Sequence, residues 1–137
     1  MKYLVMIWSN PASRAAWDGF PDRDRAAGLR AYAELVEELA ASGELVLTEA
    51  LADPSLGRRL AASLPLPGTA PQPAAGTAPP LVAGDGPVAA AKEHLAGFFL
   101  VDCESPERAA EIGARIPEAR YGLVEVRPTL RYGSPDL

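Results

Sequence analysis

Leu95 to Pro117 reads LAGFFLVDCESPERAAEIGARIP, and the change of hydrophobic period inside it decides the fold. Residues 95–102 set Leu95, Phe99 and Val101 on one side and Ala96, Phe98 and Leu100 on the other, a strand apolar on both faces. Ser105-Pro106-Glu107 then starts a helix. It supplies a capping hydroxyl, a proline where the first turn needs no N–H, and an acid at the positive helix end. Ala109, Ile112, Gly113 and Ile116 recur at helical spacing as a buried stripe, and Pro117 ends it.

The same unit stands at the front of the chain. Residues 2–8 form a strand with Tyr3, Val5 and Ile7 facing one way and Leu4, Met6 and Trp8 the other. Asn10 to Pro21 reads as a loop with turn-formers at both ends. Asp22 is placed to cap the next helix. Its apolar stripe is Leu29, Tyr32, Ala33, Val36, Leu39 and Ala40, and Gly43 supplies the left-handed stop. A second strand covers residues 44–51, with Leu45, Leu47, Glu49 and Leu51 on one face, and Asp53-Pro54-Ser55 breaks it. Short strands follow near 58–62 and 81–83, then a Gly84-Asp85-Gly86-Pro87 turn. Residues 122–128 are the last strand, Val124 and Val126 inward and Glu125 and Arg127 opposite.

Without the short hairpin this order is β-α-β-β-α-β, an α+β chain of the split βαβ, ferredoxin-like kind. Two helices cover one face of a four-stranded sheet. The first and third main strands are apolar on both faces, so the other face needs cover as well. A second copy packing sheet against sheet supplies it, and a homodimer is expected.

The 137 residues, 48% apolar and 23% charged, fit one domain with its own core over 1–137. Leu64 to Pro80 is a Pro/Ala/Gly/Thr stretch without charge or periodicity, read as a loop insertion. A net charge of −5 with no basic run argues against nucleic acid, whose phosphates need a basic face. Cys103 is the one cysteine, so no intramolecular disulfide forms, and a reducing cytoplasm is expected. The apolar opening Leu4 to Trp8 is too short for a signal-peptide core or a bilayer span.

The run Asp85-Gly86-Pro87-Val88-Ala89-Ala90-Ala91-Lys92-Glu93-His94-Leu95-Ala96-Gly97-Phe98-Phe99 resembles the DGPF branch of the YCII-related family. Met1-Lys2-Tyr3-Leu4, Ser42-Gly43, Glu49-Ala50-Leu51, Ala114-Arg115-Ile116-Pro117 and Val124-Glu125-Val126-Arg127-Pro128 extend the resemblance along nearly the whole chain. It implies a ferredoxin-like subunit pairing into a dimeric α/β barrel, with a pocket between the sheet and the loop after the Asp-Gly-Pro turn. Some members of the wider group resemble enzymes with a His–Asp pair, and the branch is often encoded near sigma factors, a regulatory setting. Here Tyr32 stands where that histidine would be. Val88 replaces the motif's Phe, and Ala90-Ala91 replaces Glu-Thr.

Asp85 reads as a turn cap or as a carboxylate base. Lys92 and Glu93 read as a solvated strand edge or as a cation and carboxylate offered to a ligand. His94, the one histidine, reads as a surface or packing residue or as a general acid/base oriented by Asp85 or Glu93. Glu49 on a leucine-rich face needs a partner, and Lys92 or Arg127 could supply it. Tyr32 reads as core, or as a hydroxyl presented to the pocket. One His and one Cys make no metal set, and no phosphate loop, nucleophile elbow or dinucleotide fingerprint is present, so no cofactor is expected. Cys103 lies between Asp102 and Glu104, which would raise its pKa.

These residues mark a site without naming its reaction. Three readings stand. The first is a small-molecule-binding or regulatory homodimer without robust catalysis, holding a small acidic or aromatic ligand near Lys92. The second is a lyase or isomerase using Asp85, Glu93 or His94 for proton transfer. The third is a partner-binding module using the proline-rich loop. The alanines at 90 and 91 favour the first over the second.

Overall fold

The computed structural model describes residues 1–61, 81–86 and 92–137. Its elements run β1 (Lys2–Ser9), α1 (Pro11–Asp18), α2 (Asp22–Ser42), β2 (Leu45–Ala50), β3 (Arg58–Ala61), β4 (Leu81–Asp85), β5 (His94–Asp102), α3 (Pro106–Ala114) and β6 (Val124–Pro128). They fall into two compact units, one of Met1–Leu51 with Lys92–Leu137 and one of Ala52–Ala91. Among the described residues no helix is long and apolar enough to cross a membrane. The loop insertion expected at 64–80 and the motif residues Val88 to Ala91 lie outside the described residues.

The first unit is an α+β arrangement around an antiparallel sheet ordered β2-β5-β1-β6, which fits the ferredoxin-like β-α-β-β-α-β order. Residues paired directly across antiparallel strands share a face. Tyr3 opposite Val101, Val5 opposite both Phe99 and Val126, and Ile7 opposite Val124 therefore mark one side. That side carries the core. Leu35 and Leu39 from α2, with Ala109 and Ile112 from α3 and Ile116 just after it, close over Tyr3, Val5, Ile7, Phe99 and Val101. Each fully buried Leu, Ile or Val contributes about 1.5–3 kcal/mol, so this cluster is the main source of stability. A Cβ at Gly113 would lie 3.0 Å from Val126 Cγ2, so the glycine lets α3 sit close on β6.

Several local expectations hold. Ser105 caps α3 by accepting from the Arg108 N–H at 3.1 Å, with Pro106 at the first turn. Ala109, Ile112 and Gly113 are the helix's buried residues. Gly43 ends α2 with φ +80.

Others change. The expected loop at 10–21 contains helix α1, because Asn10 and Ser13 form a reciprocal capping box and Pro11 opens the first turn. Asp22 does not cap α2. Pro21 holds that position, and Asp22 pairs with Arg25 instead, at 2.7 Å. The buried stripe of α2 holds in part: Leu39, Tyr32 and Val36 face the core as expected, but Leu29 is 61% exposed and Leu35, outside the expected stripe, is 1% exposed. On β2, a register irregularity between Leu45 and Leu47 places Leu45 opposite Val101 on the core side and Leu47 opposite Leu100 on the other. Leu45 therefore does not share a face with Leu47 and Glu49. The extra residue of a bulge breaks the two-residue alternation on which the expectation rested.

In the second unit β3 and β4 pair antiparallel as a separate two-stranded sheet. Arg59 stands opposite Gly84, and a Cβ on that glycine would fall 2.2 Å from Arg59 Nη2, so the guanidinium lies over bare backbone. Asp85 is the last strand residue rather than part of the turn, and Gly86 follows with φ +86.

Candidate functional site

At the end of the first unit's sheet, β1 finishes, β5 begins and the chain enters β6. The junction is built from backbone. Trp8 N–H donates to the Leu123 carbonyl at 2.8 Å, and Leu123 N–H donates to the Glu118 carbonyl at 3.2 Å. Between Glu118 and Leu123 runs a single 3-10 turn over Pro117–Tyr121, ended by Gly122 at φ +69. A non-glycine residue is disfavoured at that left-handed position. Trp8, Glu93, Gly122 and Leu123 line an open depression of about 410 Å³ here. Of these residues Leu123 is buried, Trp8 is half-buried and Glu93 is exposed.

The turn is also braced from α2. The Tyr32 hydroxyl donates to the Glu118 carboxylate, and the Tyr32 ring stacks on Phe99 at 6.5 Å between centroids. Burial, then the bond to Glu118 and its negative charge, push the Tyr32 hydroxyl well above the ordinary tyrosine value. Tyr32 is not among the residues lining the depression. It acts one step back, on the turn that carries Gly122 and Leu123.

Apart from Glu93, the other expected site residues of the first unit do not line the depression. His94 is half-buried, stands opposite Ser9 in the ladder, and makes no side-chain hydrogen bond among the described residues, so Glu93 does not orient it. Lys92 is exposed and outside the lining. Asp85 is exposed on β4 of the second unit, in register with Arg58. Glu49 is exposed on β2 opposite Phe98. Arg127 does not reach it. The Arg127 guanidinium is taken by Glu125, with Nε 3.1 Å from Oε1. Among the described residues no group of three His, Cys, Asp or Glu side chains could hold a metal. The Cys103 thiol is buried and its pKa is raised, chiefly by burial and then by Glu44, rather than by the neighbours Asp102 and Glu104.

The family model for the YCII-related domain matches residues 1–132. The chain belongs to the YCII-related family. Comparison with the curated proteins gives no match. Within this YCII-related chain, the position aligned above with a family histidine is occupied by a tyrosine bonded to a carboxylate, which is a braced joint rather than an exposed base. Trp8, Glu118, Gly122 and Leu123 did not stand out in the sequence as site residues. The single available signal was the Pro117 to Gly122 stretch, a proline start and glycine stop five residues apart that marks a short turn.

Proposed function

We propose that this YCII-related chain is a small-molecule-binding homodimer, with the ligand seated in the depression of Trp8, Glu93, Gly122 and Leu123. The observation that carries the reading is that an aromatic residue, Trp8, and a carboxylate residue, Glu93, line one depression together with the buried Leu123. Small-ligand sites combine apolar lining with few fixed polar groups, and this is that composition in miniature. Because Lys92 lies outside the lining while Glu93 is inside it, the aromatic class of ligand is favoured over the acidic one. A phenol or aniline would stack on the indole and donate to Glu93. The dimer reading rests on the second face of the sheet, where Met6 is buried but Leu4, Phe98 and Leu100 are only half-buried and Leu47 is exposed. A sensing or regulatory role, as the resemblance to the DGPF branch implies, accords with this reading.

The test is a fluorescence titration of phenols, anilines and benzoates against Trp17→Phe protein, which leaves Trp8 as the reporter. A phenol or aniline should quench Trp8, and Glu93→Gln should weaken binding by about tenfold, the loss of one charge-assisted hydrogen bond. Tight binding that is indifferent to both Glu93→Gln and Leu123→Ala would place the ligand elsewhere. Turnover of a bound compound that is lost in His94→Ala would replace this reading with the proton-transfer enzyme.

A further inference from the structure

The 3-10 turn over Pro117–Tyr121 leads straight into Gly122 and Leu123, two residues that line the depression, yet it buries no residue of its own. The buried side chains stand at its two ends, Ile116 before it and Leu123 after it. Between them the turn is held by hydrogen bonds. Ala119 N–H donates to the Ile116 carbonyl at 2.9 Å, and Gly122 N–H donates to the Ala119 carbonyl at 3.0 Å. One side chain reaches the turn from outside. Among the described residues, the Tyr32 hydroxyl makes the single side-chain hydrogen bond to it, donating to the Glu118 carboxylate.

Glu118 is therefore bonded at both of its ends. Its carboxylate takes the Tyr32 hydroxyl, and its carbonyl takes the Leu123 N–H at 3.2 Å. The Leu123 carbonyl in turn takes the Trp8 N–H at 2.8 Å. The connection runs from α2 through Glu118 and Leu123 to Trp8, and it ends on two residues that line the depression. The donor at its start is fixed in place. The Tyr32 ring stacks on Phe99 at 18° from parallel, and Phe99 is 2% exposed. Without the hydroxyl the turn keeps its buried ends and loses the tether on its middle, so Leu123 and Trp8 open more readily.

We infer that Tyr32 is a positioning residue for the depression, its bond to Glu118 setting the arrangement of Leu123 and Trp8 that binds ligand. The inference rests on the ligand reading above and adds the residue that tunes the site from outside it. Coupling of this kind is reciprocal. A ligand that needs Leu123 and Trp8 held must also strengthen the hold of Tyr32 on Glu118, so α2 responds to a depression that it does not line.

Phenol titrated against full-length Trp17→Phe protein, read by Trp8 fluorescence, tests the effect on binding. Amide exchange on the same proteins tests the effect on the turn, and far-UV circular dichroism confirms that each variant is folded. Tyr32→Phe keeps the stacked ring and should raise the phenol dissociation constant about fivefold or more, the low end of couplings between sites. Glu118→Ala should do the same, and the two together should cost no more than either alone, since both remove one bond. Glu118→Gln keeps an acceptor for the hydroxyl and should recover most of the loss seen in Glu118→Ala. In Tyr32→Phe the Leu123 and Trp8 amides should exchange faster, while the Asp102 amide, bonded to the Glu44 carbonyl at the far end of β5, should change less. A phenol affinity unmoved by Tyr32→Phe, or additive losses in the double variant, overturns the positioning role. Equal acceleration at Leu123, Trp8 and Asp102 also overturns it, by making the bond a general brace of the fold. Phenol that leaves Trp8 unquenched in the Trp17→Phe protein, or quenches it regardless of Glu93→Gln, overturns instead the ligand reading on which the inference stands.

Discussion

The Tyr32 hydroxyl on α2 and the Glu118 carboxylate on the 3-10 turn are joined by a hydrogen bond that spans 86 residues of sequence. Because Leu123 N–H is bonded to the Glu118 carbonyl, this single side-chain contact ties the helix to the wall of the depression.

Tyr32→Phe removes the donor and leaves a half-buried carboxylate short of a partner. Urea unfolding should show a loss of about 1–3 kcal/mol, the cost of an unsatisfied buried group. The hydroxyl's pKa is raised from 10.0 in the folded chain, so its contribution is complete below pH 10.0 and declines as pH rises further. Wild type should therefore lose stability above pH 10.0 with a slope that Tyr32→Phe lacks. Equal alkaline slopes in both proteins would deny the bond.

Arg108 grips Glu44 with both arms of its guanidinium, Nε to Oε2 at 2.9 Å and Nη2 to Oε1 at 2.8 Å, and ties the start of α3 to the turn before β2. The Arg108 bonds, with a further one from Ser42, hold the Glu44 carboxyl down to about 2 from 4.5. A lowered folded value means that the contribution is present above pH 4.5 and is lost as pH falls toward 2. Glu44→Gln should cost about 1 kcal/mol at neutral pH, as expected for a two-armed but partly solvated pair. The difference from wild type should close as pH approaches 2. A difference that stays constant with pH would show that the charge on Glu44 is not what matters.

Gly97 lies where β2 and β5 approach closely. A Cβ there would be 2.9 Å from the Glu49 carbonyl oxygen and 3.4 Å from Ala50 Cα, both backbone atoms that cannot rotate away. Gly97→Ala should destabilise the fold by about 1–3 kcal/mol through forced separation of the strands. The Leu51 amide, which donates to the Ala96 carbonyl at 2.7 Å, should exchange with solvent faster in the variant. An unchanged midpoint and unchanged Leu51 exchange would mean that the sheet yields there at no cost.

The legible parts of this protein were those set by local pattern. The two-faced apolar strands at 2–8 and 95–102, the Ser105-Pro106 helix start and the 109/112/113/116 stripe follow from side-chain period and capping chemistry, which act within a few residues. Helix α1 was legible in principle too, since Asn10, Pro11 and Ser13 carry its cap, but a segment rich in turn-formers reads equally as a loop. The face assignment on β2 was not legible, because a bulge at one residue reverses every side chain beyond it and sequence period cannot register the insertion.

By itself the sequence determined most of the secondary elements, the family and the presence of apolar residues on both faces of two strands, because all three follow from which residues stand at which spacing. Only the tertiary structure decided where the candidate site residues sit and which groups they bond. It gave Tyr32 to Glu118 and Arg127 to Glu125, left Lys92 outside the lining, and drew Trp8, Glu93 and Leu123 to one depression. Those partners lie up to 115 residues apart, from Trp8 to Leu123 (123 − 8). Strand order and register bring them together, and neither is written in the spacing of any one segment.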